Sequence, residues 1–424
     1  MDQGNQGWQV ELQCPQCGGP VVLEETDHIL ACSFCRVRLF ISCPNYPRYF
    51  MAPRCTSFKD VFFLPYWRFK GLAFTCHENE VRQRIVDSSL LALRAVGLPL
   101  SLGVRPQVLK LKFATPETDG RFLKPHFPFK TLPSKSGAGA GPVADPGKSF
   151  PGFYEAFIGE TLSLIYSPVV IEKGLLCDAI LRQPLARVPE DVFEKLPSDN
   201  SHHHAIRFIP TLCPHCGWDL EGEKDTLLLL CRNCDSGWVS SPDGLKRQEF
   251  TVFTQTTPHP VVYLPFWRLK AEIFGVKLRS VADLTRLANL PRAITSAMEE
   301  RGAFFRIPAF KVQPHLFLRL AKLLTISQKF EDIQELHGRW PKSDTSKLFP
   351  VTLPVHEAAE SIAMTMTSFV VPKPQFISRL HEIKVKLLEY TLVYLPFEAR
   401  GSELIQPEMQ ISISANALRL GRLI

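Results

Sequence analysis

At 424 residues the chain has room for two to four domains, and 45% hydrophobic with 10% aromatic residues excludes a disordered protein. Its 49 Lys and Arg against 42 Asp and Glu leave a formal charge of +7, which permits binding to nucleic acid or anionic membrane without demanding it. The polar opening Met1 to Gln13 lacks the pattern of a secretory leader, and the most apolar long window, Ile85 to Val104, holds Asp87, Arg94 and Pro99, so the expectation is a soluble, cytoplasmic protein without a membrane span.

Residues 1 to 11 read as a loose tail. Residues 12 to 42 form a first knuckle region on Cys14-Pro-Gln-Cys17-Gly18 and Cys32-Ser-Phe-Cys35. Between the pairs, Val21 to Leu23 and Ile29 to Leu30 flank the polar turn Glu24 to Asp27, which suits a short hairpin. Residues 43 to 58 read as an irregular connection. Val61 to Phe74 is a strand whose Pro65 marks an edge or a bulge. Its alternation sets Trp67 and Phe69 toward the core and Arg68 and Lys70 in water. Glu80 to Val96 has helical spacing, ended by Gly97 and Pro99. Val104 to Phe113 and Glu160 to Ile180 are strand-like, and Ser134 to Ser149 is a Gly/Pro/Ser loop. Pro184 to Ser201 carries a short helix signal and leads to a polar join around His202-His203-His204, the boundary between two halves.

The second half repeats the first. Cys213-Pro-His-Cys216-Gly217 and Cys231-Arg-Asn-Cys234 again stand fourteen residues apart, and Tyr263-Leu-Pro-Phe-Trp-Arg-Leu-Lys270 repeats Phe63-Leu-Pro-Tyr-Trp-Arg-Phe-Lys70. A shift of 199 residues carries Cys14 onto Cys213, and a shift of 200 carries Leu64 onto Leu264. Each half closes on a further aromatic-proline string, Tyr166-Ser-Pro-Val169 and Tyr394-Leu-Pro-Phe397. The expectation is therefore a duplicated α+β fold. Its parts are zinc ribbons over residues 12–42 and 205–241 and β-rich α+β domains over 43–200 and 242–424. In the second half, Ser280 opens a capping box before a helix over 281 to 301. Ala303 to Val312 is a strand, His315 to Ile326 and Val355 to Met366 are helical, and Leu380 to Ile405 is strand-rich. Equivalent core positions are Pro65 and Pro265, Trp67 and Trp267, Tyr166 and Tyr394.

Eight of the twelve cysteines fall in CxxC pairs, which in a reducing compartment read as metal ligands. Cys14, Cys17, Cys32 and Cys35 make one tetrahedral set, and Cys213, Cys216, Cys231 and Cys234 the other. Four thiolates leave no open coordination position, so both sites are structural, with two Zn2+ per chain. Gly18 and Gly217 permit the positive φ of the first knuckle in each copy. Arg36 and Asp235 stand at that place in the second knuckle and weaken it. Rubredoxin-type iron, and with it an electron carrier, is the metal alternative. Cys43, Cys55, Cys76 and Cys177 read as small buried apolar residues.

The CPxCG knuckles resemble the zinc ribbons of the transcription-factor-IIB type, over roughly 25 residues per copy. The resemblance implies a three-stranded metal-binding knuckle used in nucleic-acid binding, protein docking or structural roles. The Leu-Pro-Tyr/Phe-Trp-Arg strings resemble uncharacterised bacterial zinc-ribbon proteins, some linked to membrane-associated assemblies.

Other motifs fail on their chemistry. Gly141 to Ser149 has five residues between its glycines where a phosphate loop needs four. His356-Glu357 and His381-Glu382 lack a second zinc-binding His, and no nucleophile triad can be picked out. The leading expectation is a non-enzymatic adaptor or structural subunit binding protein partners, with any membrane association through a partner. The runner-up is nucleic-acid binding through the ribbons and the basic region 101–136.

Overall fold

Strands account for 45% of the described residues and helices for 16%, a mixed α and β structure. The computed structural model describes residues 8–43, 45–54, 61–77, 80–94, 98–103, 109–127, 153–189, 191–199, 206–255, 257–327, 334–337 and 346–423. The residue 1–7 portion of the tail, Cys55, the loop 134–149, the polar join at 202–204 and residues 104–108 of the strand expected at 104–113 lie outside them. No helix among the described residues is long and apolar enough to cross a membrane.

Two compact units divide the chain. Unit 1 takes Met1–Lys70, Asp87–Pro146 and Thr161–Thr211. In it β1 (Gln9–Gln13) pairs antiparallel with β2 (Pro20–Glu24), and β3 (Ile29–Ala31) with β4 (Arg38–Ser42). The expected hairpin between β2 and β3 is therefore replaced by two separate ladders. The turn between them, where the Glu24 amide donates to the Asp27 carboxylate at 3.1 Å, passes the chain from one to the other. Then come β5 (Arg48–Met51), β6 (Phe62–His77), β7 (Glu80–Leu91), β8 (Leu111–Phe113) and β9 (Arg121–Phe122). The half closes with β10 (Phe153–Glu172), β11 (Leu175–Asp178), β12 (Pro184–Arg187) and β13 (Arg207–Pro210).

Two expected helices are absent among the described residues. Residues 80 to 91 form β7: Val81, Ile85 and Leu90 suit a helix, but pairing with β6 makes the segment a strand whose buried positions are Val86, Ser89 and Leu91. Residues 191 to 196 form successive turns, the Val192 amide donating to the Pro189 carbonyl and the Glu194 amide to the Asp191 carbonyl, with prolines at 184, 189 and 197 denying a helix its ladder.

Unit 2 takes Leu212–Ile424 with Gly71–Val86 and Gly147–Glu160. Its strands are β14 (Leu228–Cys231), β15 (Ser236–Ser241), β16 (Gly244–Gln248), β17 (Phe250–Thr254) and β18 (Val261–Phe274). A helical stretch follows: α1 (Val281–Leu287), α2 (Ser296–Glu300), β19 (Phe305–Pro308) and α3 (Pro314–Ser327). Next are β20 (Gln334–His337), β21 (Ser346–Leu348), α4 (Val355–Glu360), α5 (Ile362–Thr367) and α6 (Lys373–Ser378). The chain finishes with β22 (Lys384–Arg400), β23 (Glu403–Gln406), β24 (Ile411–Ser414) and α7 (Ala415–Gly421). Ser280 caps α1 as expected, accepting from the Asp283 amide while the Asp283 carboxylate accepts from the Ser280 amide. Leu72, Phe74, Cys76 and Ile158 belong to the core of this unit, with Phe74 6.3 Å from Phe317 of α3.

The proline strands are central, not edges, and the proline creates a gap on one side. Pro265 faces Tyr394 in the β18–β22 ladder; on the other flank β21 pairs at residues 261–263 and β19 at 266–269. A proline has no amide to donate to its neighbour. The Pro265 carbonyl accepts from the Ala309 amide at 3.0 Å, and the Ala309 carbonyl takes the Thr352 and Leu353 amides at 2.9 and 3.0 Å. The Leu353 carbonyl then accepts the Trp267 indole at 2.8 Å. Unit 1 repeats each step. The Pro65 carbonyl accepts from Ala92 at 2.9 Å, the Ala92 carbonyl from His126 at 2.8 Å, and the Phe127 carbonyl from the Trp67 indole at 2.8 Å. Other ladders match too. The parallel pair β5–β10 sets Phe50 opposite Tyr166, and β17–β22 sets Val252 opposite Tyr394.

Arg68 is the exception to the expected alternation. It is fully buried, stacked 3.9 Å from the Trp8 ring and paired with Glu25 at 2.9 Å and with Asp87. Arg68→Ala would leave the Glu25 carboxylate buried without its cation. It should cost about 3–5 kcal/mol, read as a lower urea midpoint at pH 7. The double variant Arg68→Met with Glu25→Gln should recover part of that loss.

Candidate metal centres

Each knuckle is a tight backbone turn that aims two sulfurs the same way. The Cys14 amide donates to the Gly19 carbonyl and the Gly18 amide to the Cys14 carbonyl, both at 2.8 Å. In the second copy Cys213 donates to Trp218 and Gly217 to Cys213, again at 2.8 Å. Gly18 and Gly217 have φ of 72° and 74°, the left-handed region where a glycine carries no Cβ penalty. Arg36 and Asp235 adopt the same corner at 60° and 50°, and the Arg36 amide still donates to the Cys32 carbonyl at 3.0 Å. The knuckle expected to be weakened keeps its turn. A shift of 199 residues also maps one ribbon's ladder onto the other: Ile29 opposite Phe40 becomes Leu228 opposite Val239.

All eight predicted cysteines come together as two sets of four, each with its sulfurs within 4.8 Å of one another. A tetrahedral site with zinc–sulfur bonds of about 2.3 Å places its sulfurs about 3.8 Å apart. The Sγ atoms of Cys14 and Cys35 stand 3.8 Å apart and those of Cys17 and Cys32 3.6 Å. In the second set the separations are 3.6 Å for Cys213 and Cys234 and 3.4 Å for Cys216 and Cys231. The donor set thus fits a four-thiolate cation site. Each set has two buried members, Cys14 and Cys32 or Cys213 and Cys231, and the other sulfurs lie toward solvent.

Thiols this close do not ionise alike. The Cys35 backbone amide leads in holding Cys32 down to about 7. The Asn233 side chain and then the Trp218 amide hold Cys216 down to about 6. Burial, together with the neighbouring sulfurs of Cys216 and Cys234, pushes Cys231 up to about 12. Four negative sulfurs within one such cluster need a cation to coexist.

Cys43, Cys76 and Cys177 join no metal set among the described residues. Burial pushes Cys43 and Cys76 each up to about 11; Cys76 is buried as expected, while Cys43 and Cys177 are only half-buried. His356 is exposed and His381 lies 3.8 Å from Glu382, and neither joins a metal set. The sequence reading passed over the side chains around the second cluster. Ser236 and Trp238 lie on β15, and the Ser236 hydroxyl is 3.0 Å from the Cys234 sulfur. Their signal is the Ser-x-Trp that follows Cys234, against Val37-x-Leu39 in the first copy.

No protein-family model, curated protein or solved structure matches the chain. Residue chemistry therefore carries the functional reading. Metal analysis of the reduced chain should return two ions. Cys14→Ser and Cys213→Ser should each lower the count to one and unfold their own knuckle, seen as lost amide protection there, because metal binding is folding energy in such modules.

Proposed function

We propose that the protein is a non-enzymatic zinc protein, an adaptor or structural subunit that joins protein partners inside a larger cytoplasmic assembly. The observation that carries this reading is the closure of both clusters. Four sulfurs at tetrahedral spacing leave no coordination position for a substrate or an activated water. Zinc is favoured over iron because the pairs are separated by fourteen residues, shorter than rubredoxin-type sites generally use. A colourless protein agrees with zinc, whereas a coloured iron–thiolate protein would favour the electron carrier.

The corresponding ladders and indole anchors support a duplication of the whole half, with repeats that run from ribbon to closing proline strand. The ribbon surfaces favour protein partners. Phe34 and Trp218 are 65% and 61% exposed, large rings on knuckle turns, as interface anchors are. Part of the basic region 101–136 is committed to the fold. Arg121 donates to the Glu194 and Leu196 carbonyls at 2.7 and 3.1 Å, and Lys110 pairs with Glu11 at 2.8 Å.

The double variant Phe34→Ala with Trp218→Ala should keep both metal ions and lose any partner that co-purifies with the native chain. Binding to DNA and RNA should be undetectable at about 50 mM salt, where phosphate contacts are strong. Tight binding that weakens steeply as salt rises would replace the adaptor reading with the nucleic-acid one.

A further inference from the structure

The two metal clusters share a backbone but not their surroundings. In the second, the buried Trp238 indole donates to the Ser236 hydroxyl oxygen at 2.8 Å. A hydroxyl that accepts from the indole has its own proton left to give. The sulfurs of Cys234 and Cys213 lie 3.0 and 3.8 Å from that oxygen. Ser236 is 2% exposed, so water does not compete for the bond. Two of the four sulfurs therefore lie within reach of a side-chain hydroxyl outside the cluster.

The shift of 199 residues that aligns the cysteines places Val37, Leu39 and Phe34 at the positions of Ser236, Trp238 and Asn233. None of these three side chains has a donor for sulfur. Phe34 instead lies across the first knuckle, so close that a Cβ on Gly19 would come within 2.8 Å of its ring. Trp218 stands at the position of Gly19, so each ribbon carries one aromatic ring across this pair of positions. Only the second ribbon has polar groups free to serve the sulfurs from the remaining places.

We propose that the two centres are unequal: the Cys213 cluster is held by a hydrogen-bonded outer layer and retains its metal, while the Cys14 cluster lacks that layer and exchanges its metal first. The inference rests on the zinc reading above. A divalent ion with four thiolates carries two net negative charges, and donors directed at the sulfurs spread that charge. Loss of such outer partners costs about 10–100-fold in metal affinity at other sites. Because metal binding is folding energy, the knuckle turns of the first ribbon become the ones whose local order follows zinc supply.

The test uses the full chain loaded with zinc and an excess of a chromogenic chelator. Zinc should leave in two phases of one ion each. Cys14→Ser should delete the fast phase, and Ser236→Ala should accelerate the slow one by about 10–100-fold. Trp238→Phe keeps a ring in the core and should act in the same direction. Val37→Ser with Leu39→Trp, which installs the layer in the first ribbon, should slow the fast phase. Release of both ions at one rate, or a slow phase indifferent to both Ser236→Ala and Trp238→Phe, would overturn the inequality alone. A chain that binds fewer than two ions at the outset overturns the zinc reading and the inequality with it.

Discussion

The missing amide of a proline organises both units. In an unbroken ladder the residue facing Pro265 would receive its N–H. Here the Ala309 carbonyl has no such donor and takes the amides of Thr352 and Leu353 instead. An incoming segment is thereby joined to the sheet by ladder-quality hydrogen bonds, and the Trp267 indole fastens its next carbonyl. The proline and the tryptophan two residues later act as one device: the first leaves an acceptor open, and the second locks whatever fills it. Neither half of the device works alone, since a buried indole without an acceptor and a buried carbonyl without a donor each carry a desolvation cost.

That device was visible in the sequence as a string but not as a mechanism. The repeated Leu-Pro-aromatic-Trp-Arg pattern marks a strand, and a proline within a strand argues by itself for an edge or a bulge. Seeing that the strand is central requires knowing that β19 and β21 approach from the same side and stop short on either side of Pro265. The metal clusters were legible because cysteine spacing encodes them locally. Residues 80 to 91 have apolar residues at helix-like spacing, Val81, Ile85 and Leu90, and pairing with the preceding strand β6 overrides it. Arg68 was misread because its partners Glu25 and Asp87 are far away in sequence, and nothing in an alternating strand announces a buried ion pair.

Equivalent positions also diverge where their surroundings do. In unit 2, Leu72 and Phe74 are buried while Glu272 and Phe274, at the same places in the second proline strand, are exposed. Glu272 lies in the β18–β22 ladder opposite Lys386, a charge pairing suited to a solvated face. Backbone ladders tolerate such changes because their hydrogen bonds do not depend on side-chain type, so a common frame can persist while each surface answers to its own environment.

The same separation of frame from surroundings bears on the metal ribbons. In the first, β1 and β2 belong to the ten-stranded sheet, and β1 continues into β8 through Val10 and Leu111. In the second, β14, β15 and β16 form a three-stranded sheet of their own. That sheet is fixed in its unit by the Leu227 amide on the Val351 carbonyl and by Arg422 on Asp225. In the first ribbon only β1 and β2, which flank the Cys14 knuckle, join the large sheet; β3 and β4, which flank the Cys32 knuckle and align with β14 and β15, pair with β13 in a three-stranded sheet of their own. A knuckle can be ordered by its metal or by its neighbours, and the more its neighbours hold it, the less its metal has to. Zinc loss from the first ribbon would leave β1 and β2 still paired in the ten-stranded sheet, so the metal there can exchange without dissolving the unit around it.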